Sequence, residues 1–249
     1  VFDAWHRQPD RAAVLLDFDG TLAEIVDRPE DARPLPGAVE VLRVLAGRYA
    51  LVAVVSGRRV SFLREHVDVP GVVLSGMYGL ESWRDGHYTV HPDASRWQPA
   101  VATVADRAEA ELPSGVGIER KGLSVTLHVR EHPEHEPAVR AWAGRVAAQT
   151  GLALHEARRS YEFRPPLAAD KGTAVRALAA GVDAACYVGD DVGDLPAFAA
   201  LDDLAARGMT VVKVVAASDE TPPELAAAAD VVVDGPSGAL ALLRTLGGA

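Results

Sequence analysis

The sequence predicts an α/β protein in which a doubly wound, Rossmann-like parallel sheet is interrupted by an inserted α+β module. Three observations carry this expectation. Short apolar runs ending in polar turns alternate with amphipathic helical stretches over residues 12–74. The pattern changes to period-two alternation within residues 116–164, and the run-and-helix pattern returns from Asp170.

Residues 12–16 form an apolar run that delivers Asp17-Phe18-Asp19-Gly20 into a turn, as a buried strand does. Pro36-Gly37 opens a helix carrying Val39, Leu42 and Leu45 on one side. Residues 51–55 are a second buried strand ended by Ser56-Gly57, a helix runs through about Glu65, and residues 72–74 are a third strand. Within 123–130, Leu123, Val125, Leu127 and Val129 share one face and Ser124, Thr126, His128 and Arg130 the other, so one side is core and the other polar. A similar alternation occupies 152–164. The helix preceding the first of these segments has Val101, Val104, Ala105, Ala108 and Leu112 on one stripe, and the next has Val139, Trp142, Ala143 and Val146. From Asp170 follow a helix through Ala180, a strand at 184–188, a helix after Gly193, strands at 210–214 and 231–233, and a last helix from Ser237. Residues 1–80 and 167–249 therefore build the core, and 81–166 the inserted module.

The 249 residues, 49% of them hydrophobic, suffice to bury a full core. Against 35 Asp and Glu stand 25 Lys and Arg, and the net charge of -10 disfavours nucleic acid and anionic membrane surfaces as partners. No stretch approaches the roughly 18 uninterrupted apolar residues of a membrane-spanning helix. No basic-then-apolar leader follows Val1, and the single cysteine, Cys186, lies in an apolar run, so a reducing, cytoplasmic setting is expected.

Four polar signals stand where apolar strands run out or where the core resumes: Asp17-Phe18-Asp19-Gly20-Thr21, Ser56-Gly57-Arg58, Asp170-Lys171-Gly172 and Gly189-Asp190-Asp191-Val192-Gly193-Asp194. Ligands of open parallel sheets bind outside the carboxyl ends of the strands, so these segments are expected to converge. Asp17, Asp19, Asp190 and Asp194 in one pocket would repel one another, which a divalent cation relieves. Hard oxygen ligands favour Mg²⁺ over zinc or copper. Lys171 and the Ser56 hydroxyl remain as donors for phosphate oxygens. Taken separately, each signal has a plainer reading: Asp-x-Asp as a turn, Ser56 as a helix cap, Lys171 as a solvated helix residue, and Asp191 as a cap of the next helix.

The four segments, in this order, resemble the signature set of haloacid dehalogenase-type phosphatases. That resemblance implies Asp17 as the nucleophile on phosphorus and Asp19 as the group that protonates the leaving oxygen and then deprotonates water. It also implies Mg²⁺ held by the Asp17 carboxylate, the Asp19 carbonyl and Asp190, with Asp191 and Asp194 around them. Within the inserted module, 119–130 and Tyr161-Glu162-Phe163-Arg164-Pro165 resemble the cap of trehalose-6-phosphate phosphatases. By that match Glu119, Lys121 and Glu162 hydrogen-bond sugar hydroxyls, and Arg58 and Arg130 join the substrate-binding set.

The resemblance implies a sugar phosphate as substrate, trehalose 6-phosphate first, with sucrose phosphate or a mannosyl phosphoglycerate as alternatives, and a trehalose-phosphate synthase as a partner. A non-catalytic sugar-phosphate sensor, or an inactive partner of a trehalose-phosphate synthase, is the reading from another class, and retention of both Asp17 and Asp19 argues against it. The chain departs from the family pattern at Gly193 and Leu195, which flank Asp194, and at Tyr78, where a His is expected. His128 reads as a structural hydrogen-bond partner, and Arg130 and Arg164 fit surface ion pairs as well as ligand contacts.

Overall fold

The structure is a computed structural model, and it describes every residue except Asp27, Arg158, Asp219, Glu220 and Ala249. The chain divides into two units, one of Val1–Thr89 with Ala169–Ala249 and one of Val90–Ala168.

The first unit begins with a short helix, α1 (Asp3–Arg7), whose buried Trp5 donates to the Ala13 carbonyl at 2.9 Å. Strand β1 (Ala12–Leu16) leads by way of the Asp17–Gly20 turn to α2 (Ala38–Ala46), β2 (Leu51–Val55), α3 (Val60–Val67) and β3 (Val72–Gly76). A hairpin of β4 (Glu81–Arg84) and β5 (His87–Val90) follows. Its two-residue turn is Asp85-Gly86, with both residues at positive φ, the pairing that matches the twist of antiparallel strands. β4 pairs antiparallel with β3, which moves the boundary expected at residue 81 to Val90: residues 81–89 extend the core sheet.

The second unit comprises α4 (Pro92–Ser95), α5 (Gln98–Glu111), β6 (Gly117–Arg120), β7 (Val125–His128), α6 (Glu136–Thr150), β8 (Ala153–Ala157) and β9 (Ser160–Arg164). Its four strands form an antiparallel sheet in the order β6-β7-β9-β8. One sheet face, with Val125, Leu127, Tyr161 and Phe163, packs against Val101, Val104, Ala108, Val139, Trp142 and Val146 of α5 and α6. The helix stripes read from the sequence are these residues, except that Leu112 terminates α5 and is only partly buried.

The core then resumes with α7 (Lys171–Leu178), β10 (Ala184–Gly189), α8 (Leu195–Ala205), β11 (Thr210–Ala217), α9 (Pro223–Ala228), β12 (Val231–Asp234) and α10 (Gly235–Gly247). The large sheet has the order β12-β11-β10-β1-β2-β3-β4-β5 and is parallel from β12 to β3. Val14, Leu16, Val52 and Val54 face Leu42, Leu45, Leu63 and Leu243 on one side. Ala13, Leu15, Ala53 and Val55 share the other with Val175, Phe198 and Leu201. Burial on both faces is why these strands read as uninterrupted apolar runs. Among the described residues, no helix is long and apolar enough to cross a membrane.

Candidate active site

β1 and β10 are neighbours, with Leu16 opposite Val188, and the Asp17 amide donates to the Val188 carbonyl at 2.9 Å. From β1 the chain continues to β2 on one side, and from β10 to β11 on the other. The strand ends at such a switch point splay apart into a crevice, where ligands of this architecture bind. Asp17 and Asp190 emerge there, each directly after its strand.

Two glycines bring the carboxylates in. At Gly20, φ +70°, a Cβ would fall 1.9 Å from Asp190 Oδ2, so the bare Cα is what lets that carboxylate close on the Asp17–Gly20 turn. At Gly189 a Cβ would lie 2.3 Å from Asp194 Cγ. Lys171, the first residue of α7, is buried, and its Nζ donates to Asp17 Oδ2 and Asp194 Oδ1, both at 2.7 Å. Asp194 Oδ1 also accepts from the Tyr187 hydroxyl at 2.7 Å, and Oδ2 from the amides of Asp190 and Asp191 at 2.8 and 3.1 Å. Four donors saturate Asp194, which therefore orients Lys171 and the turn after β10. Asp17 Oδ1 and the Asp190 carboxylate accept no hydrogen bond from the described residues.

Carboxylate oxygens of Asp17, Asp190 and Asp194 lie within 4.8 Å of one another, and three carboxylates against one ammonium leave excess negative charge in a buried place. Burial, with the charges of Asp194 and Asp190, pushes the Asp17 carboxyl well above the usual range against the pull of Lys171. Burial, then Asp194 and Asp191, lifts Asp190 to about 7. Burial opposes the charge of Lys171, yet Asp17 and Asp194 outweigh it and hold the ammonium protonated. A divalent cation relieves this crowding, and the all-oxygen donor set with open positions on Asp17 and Asp190 fits Mg²⁺. His132, Glu134 and His135 of the second unit form another group that could hold an ion, with nitrogen donors suited to softer metals.

Asp19 is held by Arg58, whose Nε and Nη2 donate to Oδ2 and Oδ1 at 2.8 and 2.6 Å. Arg58, expected on the substrate, is thus engaged with a carboxylate of its own chain. Ser56 is buried, and its Oγ accepts from the Arg58 amide at 3.1 Å. It does not cap α3. Buried Glu81 takes the Val60 amide at 2.8 Å instead. Asp191 accepts from the Gly193 amide at 2.8 Å, the capping arrangement, and is exposed. Tyr78 lies over Gly57, whose Cβ would be 2.7 Å from the phenol ring. Met77 and Tyr78 both have positive φ, and their amides donate to the carbonyls of Arg58 and Ser56 at 2.8 and 3.0 Å. A strained turn is therefore stapled to the Ser56–Arg58 loop.

In the second unit, Glu119, Thr126, Glu162 and His155 are cross-strand neighbours on the polar sheet face. Lys121 Nζ reaches Glu119 Oε2 at 3.3 Å and Glu162 Oε1 at 3.5 Å. Glu162 also accepts from Ser124 Oγ at 2.8 Å and from Arg164 Nε at 2.7 Å. Burial disfavours the Glu162 charge, but Lys121 and Arg164 overcome it and hold the carboxyl below its usual range. His128 bonds Glu119 at 3.0 Å, the structural partnership expected of it. Arg130 is exposed beyond the end of β7, and no hydrogen bond or ion pair of the described residues joins it to this group. Arg164 takes that place. Sequence reasoning missed Tyr187, Ser124 and the tie between Arg58 and Asp19. A tyrosine inside the apolar run before Gly189 was the available signal, because a buried phenol needs a partner.

A family model described as Trehalose-phosphatase matches residues 15–234. The trehalose-phosphate phosphatase of Mycobacterium avium is 36% identical over 210 residues, which are 80% of this chain and 54% of that protein. That of Mycobacterium leprae is 34% identical over 225 residues, 84% of this chain and 52% of that one. The chain thus spans about half the length of these curated relatives. Among solved structures, a trehalose-6-phosphate phosphatase related protein superposes with a TM-score of 0.77 at 22% identity, covering 94% of this chain and 96% of that one. The C-terminal domain of the Candida albicans trehalose-6-phosphate phosphatase does so at 0.73 and 22%, covering 98% and 94%. These two likenesses concern the fold. The family model, which takes in both the strand-end carboxylates and the polar sheet face, places this chain in the trehalose-phosphatase family.

Proposed function

We propose that the chain hydrolyses trehalose 6-phosphate to trehalose and phosphate through an aspartyl-phosphate intermediate on Asp17. The observation that carries this reading is the state of Asp17, a buried carboxylate at a switch-point strand end, grouped with Asp190 and Asp194, with one oxygen held by Lys171 and the other accepting no hydrogen bond from the described residues. A nucleophile needs that combination of fixed direction and a free lone pair. Its open oxygen attacks phosphorus. Lys171 fixes the carboxylate and, with the Ser56 hydroxyl, donates toward the phosphate oxygens. Asp19 gives a proton to the departing sugar oxygen and then takes one from the water that cleaves the intermediate. Asp17, Asp190 and the Asp19 carbonyl would hold Mg²⁺, which when bound neutralises charge on the transferring phosphoryl group. Asp194 keeps Lys171 and the Asp190 turn in place, and Asp191 caps that turn.

Glu119, Lys121 and Glu162 supply hydrogen bonds for sugar hydroxyls, and Lys121 between the two carboxylates, with Arg164 on Glu162, offsets their charges before the sugar arrives. Such groups select strongly, because a ligand without the matching hydroxyls leaves them unsatisfied. Cytoplasmic trehalose synthesis is the setting this reading implies. Paired kinetics provide the test. Glu162→Ala or Glu119→Ala lowers kcat/KM for trehalose 6-phosphate by about 10-fold or more and leaves p-nitrophenyl phosphate much less affected. Equal losses on both substrates would remove the sugar-recognition role and the trehalose-specific reading with it.

A further inference from the structure

Asp17 is paired with Lys171, whose Nζ also bonds Asp194. Asp19 has a different partner. Among the described residues its only ion pair is with Arg58, and the guanidinium grips it with both arms of its fork. Arg58 is itself fixed from several directions. Its Nη1 donates to the Pro29 carbonyl, and its Cζ lies 4.3 Å from the centroid of the Phe62 ring. Phe62 in turn stands edge-on to Phe18, the residue between Asp17 and Asp19, with centroids 5.6 Å apart. On the main chain, the Arg58 amide bonds Ser56 Oγ, and its carbonyl accepts from Met77. A side chain pinned at its charge, its planar face and its backbone is a rigid reference point, and the carboxylate it grips inherits that rigidity.

We propose that Arg58 is a positioning residue for proton transfer: its fork sets the plane of the Asp19 carboxylate and thereby the direction of the lone pairs left for the proton. This rests on the reading of Asp19 as the proton-transfer group. In the first half-reaction an Asp17 oxygen bonds to phosphorus as the bond from phosphorus to the sugar oxygen breaks, and the Asp19 proton goes to that oxygen. In the second, water attacks phosphorus, its proton returns to Asp19, and the bond from Asp17 to phosphorus breaks. Each transfer needs a carboxylate aimed within a few tenths of an ångström, which a long flexible cation does not provide. Lysine cannot replace Arg58 in this role, because a point charge sets no plane.

The experiment compares Arg58→Ala, Arg58→Lys, Asp19→Asn and the Arg58→Ala/Asp19→Asn double variant on two substrates. The readout is kcat/KM, which covers events up to formation of the phosphoenzyme. A sugar oxygen needs a proton to leave and p-nitrophenolate does not. Both Arg58 variants are therefore expected to lose about 10²-fold on trehalose 6-phosphate and only a few-fold on p-nitrophenyl phosphate. The double variant is expected to lose no more than Asp19→Asn alone, because the two residues act as one unit. Equal losses on both substrates, full rescue by lysine, or additive losses in the double variant would overturn the proposal and make Arg58 a contact for the phosphate itself. If Asp19→Asn kept its turnover of trehalose 6-phosphate, the underlying reading of Asp19 would fall instead. Arg58→Lys retains the charge and stem, so it serves where the alanine variant melts early.

Discussion

Asp194→Asn keeps the volume of a side chain that is fully buried and receives four hydrogen bonds. An asparagine has one acceptor oxygen and one NH₂. If the oxygen faces Lys171 and Tyr187, the NH₂ meets the amides of Asp190 and Asp191, and the opposite flip sets donors against the ammonium. A hydrogen bond to a charged group contributes about 1.5–3 kcal/mol, and removing one side of a buried ion pair costs about 3–5 kcal/mol. Lower repulsion on Asp17 and Asp190 offsets part of this, and Lys171 keeps Asp17 as partner. A net loss of about 3 kcal/mol results. For a chain of 249 residues, that lowers the melting temperature by about 6–12 °C. Calorimetry of wild type and variant without metal at neutral pH measures it. A melting temperature within about 1 °C of wild type would refute the claim that Asp194 is a saturated anchor.

Burial and its acidic neighbours raise the pKa of Asp190 to about 7, so in the metal-free protein its favourable contribution to stability is full below about pH 4 and is lost as pH rises through 7. Mg²⁺ binds the ionised carboxylates, and the rise in melting temperature on adding it should be larger at pH 8 than at pH 5.5; the reverse order would contradict the metal site. Gly20→Ala would put a methyl group inside the van der Waals radius of the Asp190 carboxylate at a φ that alanine resists. That variant should weaken the magnesium dependence of both activity and melting by about 10-fold or more, as expected of a displaced ligand, and an unchanged magnesium titration would count against the cradle.

Much of the core was legible because its physics is local. β1, β2 and β10 are buried on both faces and appear as apolar runs, and each of the four polar segments announced itself by its place after a run or at a helix start. The β4–β5 hairpin was not seen, since its strands are largely exposed and lack alternation, although Asp85-Gly86 marks its turn. α1 has five residues, too few for helical periodicity to show. In the site, residue types pointed to charge and donor class but not to partners. Arg58 and Asp19 are 39 residues apart, and only the neighbouring positions of β1 and β2 in the sheet bring them together. Tyr187 lies within the apolar run of β10 and serves as a donor to Asp194, because the turn after β10 folds that carboxylate back toward the strand. Asp191 had a metal-side and a capping reading, and the short Asp191-to-Gly193 bond supports the second.

The central claim is that Asp17 carries the phosphoryl group taken from trehalose 6-phosphate. Its most direct test is phosphate release by the purified chain with Mg²⁺ over a panel of sugar phosphates, run beside Asp17→Asn. The account predicts the highest kcat/KM for trehalose 6-phosphate, phosphate attached to Asp17 in acid-quenched wild type, and neither turnover nor labelling in Asp17→Asn, whose amide is a far weaker nucleophile of nearly the same volume. Wild-type-like turnover in Asp17→Asn would contradict the account.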